Sequence, residues 1–130
     1  MIVVDASAML EVLLRTPAAQ AAEGRLFDPR ETLHAPHLLD VEVAQVIRRY
    51  AANGEIDGER GGAALADLAV FPLHRYPLDV LLPRVWELRS NLTAYDAVYV
   101  ALAEALEAPL ITRDRRLANA AGHRATIELV

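Results

Sequence analysis

The most restrictive feature of the sequence is a stretch that would be apolar on nearly every side of a helix. Thr93 is suited to cap the start of a helix, and Asp96 stands three residues later. Almost every side chain from Ala97 to Ala103 is apolar. A helix without a polar face is buried in a globular domain. The sequence therefore predicts a central helix that opens with Asp96.

This central helix leads directly into a predicted interior strand. Pro109 ends the helix, and Leu110–Thr112 is a short apolar run with Asp114 just beyond it. The N-terminal run Ile2–Val4 is followed by Asp5 in the same way. In an open parallel sheet, active sites form at the carboxyl ends of the strands. We therefore expect Asp5 and Asp114 to meet at one edge of a sheet.

The rest of the chain alternates short strands with helices. The predicted strands are Ile2–Val4, Leu33–Ala35, Phe71–His74, Leu110–Thr112 and Thr126–Leu129. The predicted helices begin near Ser7, Pro17, His37, Asp57, Leu78, Thr93 and Arg115, and three of them end near Arg25, Ser90 and Ala121. This order predicts a single domain over residues 1–130, with three α/β/α layers and a mainly parallel five-stranded sheet.

Composition excludes several classes of site. The chain has no cysteine, which excludes disulfides, thiol nucleophiles and zinc–thiolate sites. Its net charge of −5 argues against a general nucleic-acid binder. All 13 basic residues are arginine, which suits bidentate phosphate contacts, but the abundance of alanine favours codon bias as the cause. An acidic pocket inside an arginine rim would still carry this net charge.

The distribution of apolar residues predicts a protein without a membrane segment. Hydrophobic residues make up 54% of the chain, but no uninterrupted apolar run approaches the length of a membrane span. The N-terminus has no basic segment, and Asp5 interrupts its apolar run, so a secretory signal is not expected. We expect a soluble, cytoplasmic protein whose surplus apolar surface is covered by an oligomer contact or a partner.

Four acids are predicted to converge at the sheet edge. Glu42 lies at the margin of an apolar helical stripe, where an ionised carboxylate needs a cation or several donors. Taken singly, Asp5, Asp96 and Asp114 are explained as helix caps. Together with Glu42, they lie on strand ends and on helices expected to pack on one sheet. Carboxylates about 4–6 Å apart repel by about 3–4 kcal/mol at an effective dielectric of about 20, a cost that a divalent cation removes.

The chemistry of these ligands selects the ion. A set of carboxylates without cysteine or a histidine pair favours Mg²⁺, with Mn²⁺ as the alternative ion, over zinc. His34 and His37 have a metal-like spacing, but Pro36 between them argues against a regular ligand pair. The glycines near residue 60 lack the spacing of a phosphate-binding loop, and Ser7 lacks the context of a nucleophile elbow. Metal-assisted hydrolysis is the chemistry that remains.

Four segments of the chain resemble the PIN-domain ribonucleases, and within them the VapC-type toxins of toxin–antitoxin pairs. These segments are Val4–Ser7, Glu42–Arg49, Leu92–Glu104 and Pro109–Asp114. The third segment is the most specific, and the resemblance covers almost the whole chain. It implies a PIN-like fold and a Mg²⁺-dependent endoribonuclease that hydrolyses RNA phosphodiester bonds.

The resemblance also implies roles for individual residues. The acidic metal pocket would consist of Asp5, Glu42, Asp96 and Asp114. Asp5 and Asp96 would be the surest direct ligands, Asp114 the next, and Glu42 would bind metal or orient the attacking water. The residues that support the ligands by hydrogen bonds would be Ser7, Asn91 and Thr112.

The family further implies a homodimer, an RNA substrate and a cognate antitoxin. The antitoxin would be a small VapB-type protein whose C-terminal segment lies in the groove and offers an arginine to the acids. The chain departs from the family at one point, because Arg115 and Arg116 stand where many PIN nucleases carry a further acid. We therefore expect one firmly bound Mg²⁺, with any second ion arriving together with RNA.

Two other interpretations account for clustered acids. A catalytically silent acidic α/β module would use the same groove only to bind a protein partner. A phosphatase of small substrates would also need acids and Mg²⁺, but haloacid-type enzymes place a second acid where this chain has Ser7. The substitution Asp96→Asn separates the interpretations, because it should abolish RNA cleavage while keeping the fold only if the site is catalytic.

Overall fold

A computed structural model describes all 130 residues and contains one five-stranded sheet with seven α-helices. The strands are β1 (Ile2–Val4), β2 (Leu33–Pro36), β3 (Leu73–Tyr76), β4 (Leu110–Thr112) and β5 (Ile127–Leu129). The helices are α1 (Ala6–Leu14), α2 (Ala19–Leu26), α3 (Leu38–Ala52), α4 (Gly58–Val70), α5 (Leu82–Glu87), α6 (Ala94–Leu106) and α7 (Arg115–Ala118). A 3₁₀ turn, Asp79–Leu81, precedes α5.

All neighbouring strands of the sheet are parallel, in the order β3-β2-β1-β4-β5. The chain moves outward from β1 to β3 and then returns to the other side of β1, where it forms β4 and β5. The order of the strands therefore reverses between β1 and β4. This is the point at which open α/β sheets form a crevice at their carboxyl edge. The predicted α/β class and five-stranded sheet are confirmed.

The helices form two groups. Helix α1 contacts α2, α3 and α4, whereas α5 contacts α6, and α6 packs on β1, β2 and β4. Right-handed crossovers place the helices that follow β1 and β2 on one face of the sheet and α6 on the other. Every residue from Ala97 to Ala103 is buried, as are all three residues of β1 and of β4. The central helix predicted from its apolar surface is confirmed.

Several element boundaries differ from the prediction, each for a local reason. Helix α2 starts at Ala19 because the Thr16 hydroxyl bonds to Glu11 and caps no helix. Strand β3 starts at Leu73 because Phe71 is still the C-cap of α4 and Pro72 has no N–H to pair. These starts lie two residues beyond the predicted positions.

Two further differences shorten predicted helices, and a third shortens a strand. One helix was predicted from Leu78 to Ser90, but the structure has a 3₁₀ turn followed by the short helix Leu82–Glu87. Pro83 explains this division, because proline fits the first turn of a helix and disrupts its interior. Helix α7 ends at Ala118, three residues before the predicted end. Strand β5 begins at Ile127, one residue late. No helix in the structure combines the length and the hydropathy needed to cross a membrane.

Candidate active site

The four predicted acids line one cavity of about 660 Å³ at the carboxyl edge of the sheet. Asp5 directly follows β1, and Asp114 follows Arg113 after β4. Glu42 lies in the second turn of α3, and Asp96 lies in the first turn of α6. The cavity therefore collects these four carboxylates from four different elements around the point where the strand order reverses, and Glu11 of α1 adds a fifth acid to its lining.

Asp5 is the most buried of these acids, with 6% of its surface exposed. Its Oδ1 atom accepts a hydrogen bond from the Ser7 hydroxyl at 2.6 Å and one from the Ala8 backbone N–H at 3.0 Å. Its Oδ2 atom accepts a hydrogen bond from the Thr112 hydroxyl. Burial raises the pKa of Asp5, although these three hydrogen bonds act in the opposite direction. The carboxylate is thus fixed in orientation and hard to ionise.

The hydroxyls of Ser7 and Thr112 link Asp5 to the loop after β4. The Ser7 Oγ atom accepts a hydrogen bond from the Arg113 backbone N–H at 2.9 Å, and Thr112 Oγ1 accepts one from the Asp114 N–H at 3.0 Å. Each hydroxyl donates to Asp5 and accepts from a backbone amide, so its hydrogen-bonding capacity is used in both directions. Ser7 and Thr112 therefore each contact both Asp5 and the loop after β4.

Glu42 has a hydrogen-bond donor that the sequence analysis did not identify. The Tyr99 hydroxyl donates to Glu42 Oε1 at 2.6 Å, and the tyrosine is 2% exposed. Burial raises the pKa of Glu42, and the charges of Asp5 and Asp96 raise it further, against the effect of the tyrosine hydrogen bond. The signal for Tyr99 was its position one helical turn after Asp96, which places both residues on the same side of α6.

Asp96 and Asp114 differ in their electrostatic surroundings. The Asp96 backbone N–H donates a hydrogen bond to Thr93 Oγ1 at 3.2 Å. Thr93 is therefore the N-cap of α6, as predicted. Burial raises the pKa of Asp96, and the charge of Asp114 adds to the increase. Burial also acts to raise the pKa of Asp114, but hydrogen bonds from the Arg116 side chain and backbone outweigh it, so that this pKa is lowered. The Arg116 guanidinium lies 3.0 Å from Asp114 Oδ2.

The chemistry of these donors fits a hard divalent cation. All four side chains offer carboxylate oxygens, and three of them have pKa values raised by burial and by neighbouring negative charge, which a cation would relieve. However, nowhere in the structure do three or more acidic, histidine or cysteine side chains form a ready-made group that could hold a metal ion. Mutual repulsion favours this separation of the acids.

Some residues considered from the sequence lie outside the cavity. Asn91, predicted to support the ligands, does not line it, and its side chain covers Gly122. Gly122 has a φ of +86°, and Asn91 forms no side-chain hydrogen bond to any of the four acids, so its supporting role stays a prediction. His34 stacks on His74 and bonds to Thr32 and Tyr76, so its hydrogen bonds are structural.

Charged residues near the site are partly engaged. Asp40, two residues before Glu42, pairs with Arg75 at 2.7 Å and does not line the cavity. Arg113 lines the cavity, but it donates to the Val130 carbonyl oxygen and lies 3.5 Å from Glu11. Arg116 pairs with Asp114, whereas no ion pair involves Arg115.

Beyond the acids, the cavity has an apolar wall. This wall is formed by Leu10, Leu38, Val41, Val46, Tyr50 and Tyr95. Val41 and Tyr95 are 67% and 64% exposed, which is high for such side chains. Gln45 and Arg49 continue the lining along α3. The cavity thus joins an acidic end to an open apolar groove.

Comparisons with known proteins agree with this architecture. Residues 2–123 match the sequence profile of the PIN domain. Ribonuclease VapC12 of Mycobacterium tuberculosis (strain ATCC 25618 / H37Rv) is 46% identical over 130 residues, with 100% of this chain and 99% of that protein covered. Ribonuclease VapC9 of the same strain is 43% identical over 130 residues, with 100% and 98% covered.

A solved structure gives the same picture of the fold. The crystal structure of VapBC2 from Rickettsia felis bound to a DNA fragment from their promoter aligns with a TM-score of 0.72 at 13% identity, covering 100% of this chain and 99% of that chain. At this identity the similarity shows the fold alone. The sequence profile and the full-length relatives carry the assignment: the chain belongs to the PIN-domain family, in its VapC group.

Proposed function

We propose that this protein is a Mg²⁺-dependent endoribonuclease, the toxin of a toxin–antitoxin pair, and that its four cavity carboxylates form the catalytic metal site. The observation that carries the proposal is the convergence of Asp5, Glu42, Asp96 and Asp114 on one cavity at the carboxyl edge of the sheet. The similarity to relatives named ribonuclease VapC12 and VapC9 supports the reaction class. One functional domain over residues 1–130 is part of the proposal, since a single core includes side chains from β1 to α7.

In this proposal the aspartates hold the ion. Asp5 and Asp96 would be the principal ligands and Asp114 the third, with Mn²⁺ as an alternative to Mg²⁺. Asp114 would exchange its contact with Arg116 for the ion, which would bring its carboxylate into the group. Without an acid at positions 115 and 116, a second tightly held ion is not expected in the absence of RNA.

The protein's own groups would then organise the hydrolysis. A divalent cation, when bound, supplies positive charge that offsets the negative charge developing on the phosphate oxygens. Ser7 and Thr112 hold Asp5 in place, which limits the reorganisation needed during the reaction. Glu42, whose pKa is raised, would bind the ion or orient the attacking water and accept its proton. The water oxygen bonds to phosphorus as one bridging ester bond breaks.

The apolar groove suits the proposed protein partner. A co-encoded VapB-type antitoxin would lay its C-terminal segment against the apolar wall and direct an arginine at the acids, which would neutralise them and exclude RNA. The proposed RNA substrate requires a cytoplasmic location for the active protein. Capture of a small co-encoded protein by the wild-type chain, and loss of growth arrest on co-expression, are the expected results.

A second apolar surface supports the proposed homodimer. Val80 lies in the 3₁₀ turn and Leu82 and Trp86 lie four residues apart on α5, and these side chains are 71%, 54% and 68% exposed. Exposed apolar clusters of this kind mark contact surfaces. Sedimentation of the isolated chain at micromolar concentration should give a dimer that Trp86→Glu weakens. A monomeric wild-type chain would contradict this part of the proposal.

The ribonuclease activity is tested with the purified, antitoxin-free chain and total cellular RNA. New 5′ ends are mapped with Mg²⁺ or with chelator, for the wild type and for Asp96→Asn. Discrete cuts that require both Mg²⁺ and Asp96 are expected. If the folded wild type makes no cuts and does not arrest growth on expression, the nuclease proposal fails and the catalytically silent binding module is the better account.

A further inference from the structure

The hydroxyl of Tyr99 is a polar group placed in a helix that is buried over most of its length. Its neighbours on α6 from Ala97 to Ala103 are otherwise all aliphatic and buried. A buried tyrosine hydroxyl normally bonds to a partner. Here the partner is Glu42 on α3, at 2.6 Å. The phenol thus joins α6 to α3 at the site.

Glu42 needs such a tether if it is to stay in the cavity. Its carboxylate faces the negative charges of Asp5 and Asp96, and its side chain is only half-buried. Repulsion therefore favours rotation of this flexible side chain toward solvent. Tyr99 is the only residue whose side chain donates a hydrogen bond to Glu42. Glu42 Oε2 has no protein donor and keeps access to solvent, so it is free to bind a ligand.

We propose that Tyr99 is a positioning residue of the metal site: its hydroxyl holds Glu42 Oε1 so that Oε2 faces the space shared with Asp5 and Asp96. This inference rests on the proposed function, because it assigns Glu42 to a site for a divalent cation. The ring of Tyr99 fills the core, as a phenylalanine would. The hydroxyl is the part that acts on the site.

The test is Tyr99→Phe, which removes one oxygen and keeps the ring. The matched control is Tyr76→Phe, because the Tyr76 hydroxyl bonds to His34 Nδ1 at 2.7 Å outside the cavity. Mn²⁺ affinity is measured by electron paramagnetic resonance, and thermal unfolding is followed on the same samples. Loss of a residue that orients a metal ligand typically weakens metal binding by about 10- to 100-fold. We expect a loss of this size for Tyr99→Phe and none for Tyr76→Phe.

A double-mutant cycle shows whether Tyr99 acts through Glu42. Glu42→Ala should weaken Mn²⁺ binding by itself, and adding Tyr99→Phe to it should have no further effect on the affinity. In RNA cleavage, Tyr99→Phe should lower kcat more than it raises KM, since the groove that would bind RNA is unchanged. If the hydroxyl has only a structural role, Tyr99→Phe should change the unfolding temperature but leave Mn²⁺ affinity and RNA cleavage as they are in Tyr76→Phe.

The outcomes separate the two levels of the proposal. If the wild type binds Mn²⁺ and cleaves RNA but Tyr99→Phe matches Tyr76→Phe, the role of Tyr99 is refuted and the proposed function stands. If Tyr99→Phe fails to fold while Tyr76→Phe folds, the Tyr99 hydroxyl has a structural role, and the positioning role is also refuted. If the wild type neither binds Mn²⁺ nor cleaves RNA, the metal site itself is wrong, and the assignment of Tyr99 falls with it.

Discussion

At the scale of single residues, the site depends on hydroxyl groups that hold a buried charge. An ionised carboxylate as buried as Asp5 is costly unless several donors surround it. Three hydrogen bonds offset part of this cost, and two of them come from Ser7 and Thr112, although burial still leaves the pKa of Asp5 raised. Because both hydroxyls also accept backbone N–H groups of the loop after β4, the orientation of Asp5 and the path of that loop are coupled.

Thr112→Val should therefore impair both stability and activity. It keeps the shape of a fully buried side chain and removes a donor to Asp5 and an acceptor for the Asp114 amide. We expect a loss of about 1–3 kcal/mol in the free energy of unfolding. We also expect a reduction of about 10- to 100-fold in the rate of RNA cleavage, measured under conditions in which the variant is folded. Cleavage at the wild-type rate would show that Thr112 does not orient Asp5.

At the scale of elements, α6 links the core of the protein to the site. It supplies Tyr95, Asp96 and Tyr99 to the cavity while Ala97–Ala103 is buried in the core, so its start determines where these side chains reach the cavity. Thr93 sets that start by accepting the Asp96 N–H. Asp57 caps α4 in the same manner, with the Arg60 N–H 2.7 Å from Oδ1, but α4 contributes nothing to the cavity.

The two caps give a matched pair of substitutions. Thr93→Ala and Asp57→Ala should each lower the free energy of unfolding by about 1 kcal/mol, because each leaves an amide of the first turn without its side-chain acceptor. Only Thr93→Ala should also slow RNA cleavage, since only α6 positions an acid of the site. Equal activity of the two variants would contradict the link between the α6 cap and Asp96.

The elements also show what could be predicted from the sequence. The apolar surface of α6, the strand ends at Asp5 and Asp114 and the cap at Thr93 are local patterns, and they were predicted correctly. The starts of α2 and β3 depend on which partner Thr16 bonds to and on how far α4 continues before Pro72, and the residue pattern does not distinguish between these local alternatives. Tyr99 was missed because an aromatic residue in a buried helix is usually a core residue.

At the scale of the whole molecule, the sheet topology brings distant acids together, and the balance of charge limits how they ionise. Asp5 and Asp114 are separated by most of the chain, but β1 and β4 are neighbours and their carboxyl ends meet. The sequence predicts a parallel sheet, and in such a sheet the carboxyl ends of the strands lie at one edge. It does not predict which strands are neighbours, because strand order does not follow from local patterns. The pairing of Asp114 with Arg116 was likewise not foreseen.

The charge balance predicts an unusual effect of pH on stability. Because the pKa of Glu42 is raised in the folded state, its ionised form lowers stability at neutral pH, and this cost disappears as the pH falls through that pKa. With chelator present, Glu42→Gln should therefore be more stable than the wild type at pH 7. The difference should shrink toward about pH 4, near the pKa of an unfolded glutamate.

Urea unfolding midpoints of the two proteins at several pH values measure this difference. The comparison is made between variants because burial lowers the pKa of His34, which destabilises the fold as the pH falls through about 6.5 and affects both proteins equally. Saturating Mg²⁺ should reverse the order at pH 7 by stabilising the wild type more. A variant that is less stable than the wild type at pH 7 in chelator would show that Glu42 bears no such cost.

The most direct test of the account is a calorimetric titration of Mn²⁺ into the RNA-free protein, for the wild type, Asp96→Asn and Asp40→Asn. Asp40 is the matched control, because it is an acid close to the site that pairs with Arg75 and does not line the cavity. We expect one tight site in the wild type and in Asp40→Asn, and binding at least about 10-fold weaker in Asp96→Asn. Unchanged binding in Asp96→Asn, or two tight sites in the wild type without RNA, would contradict this expectation.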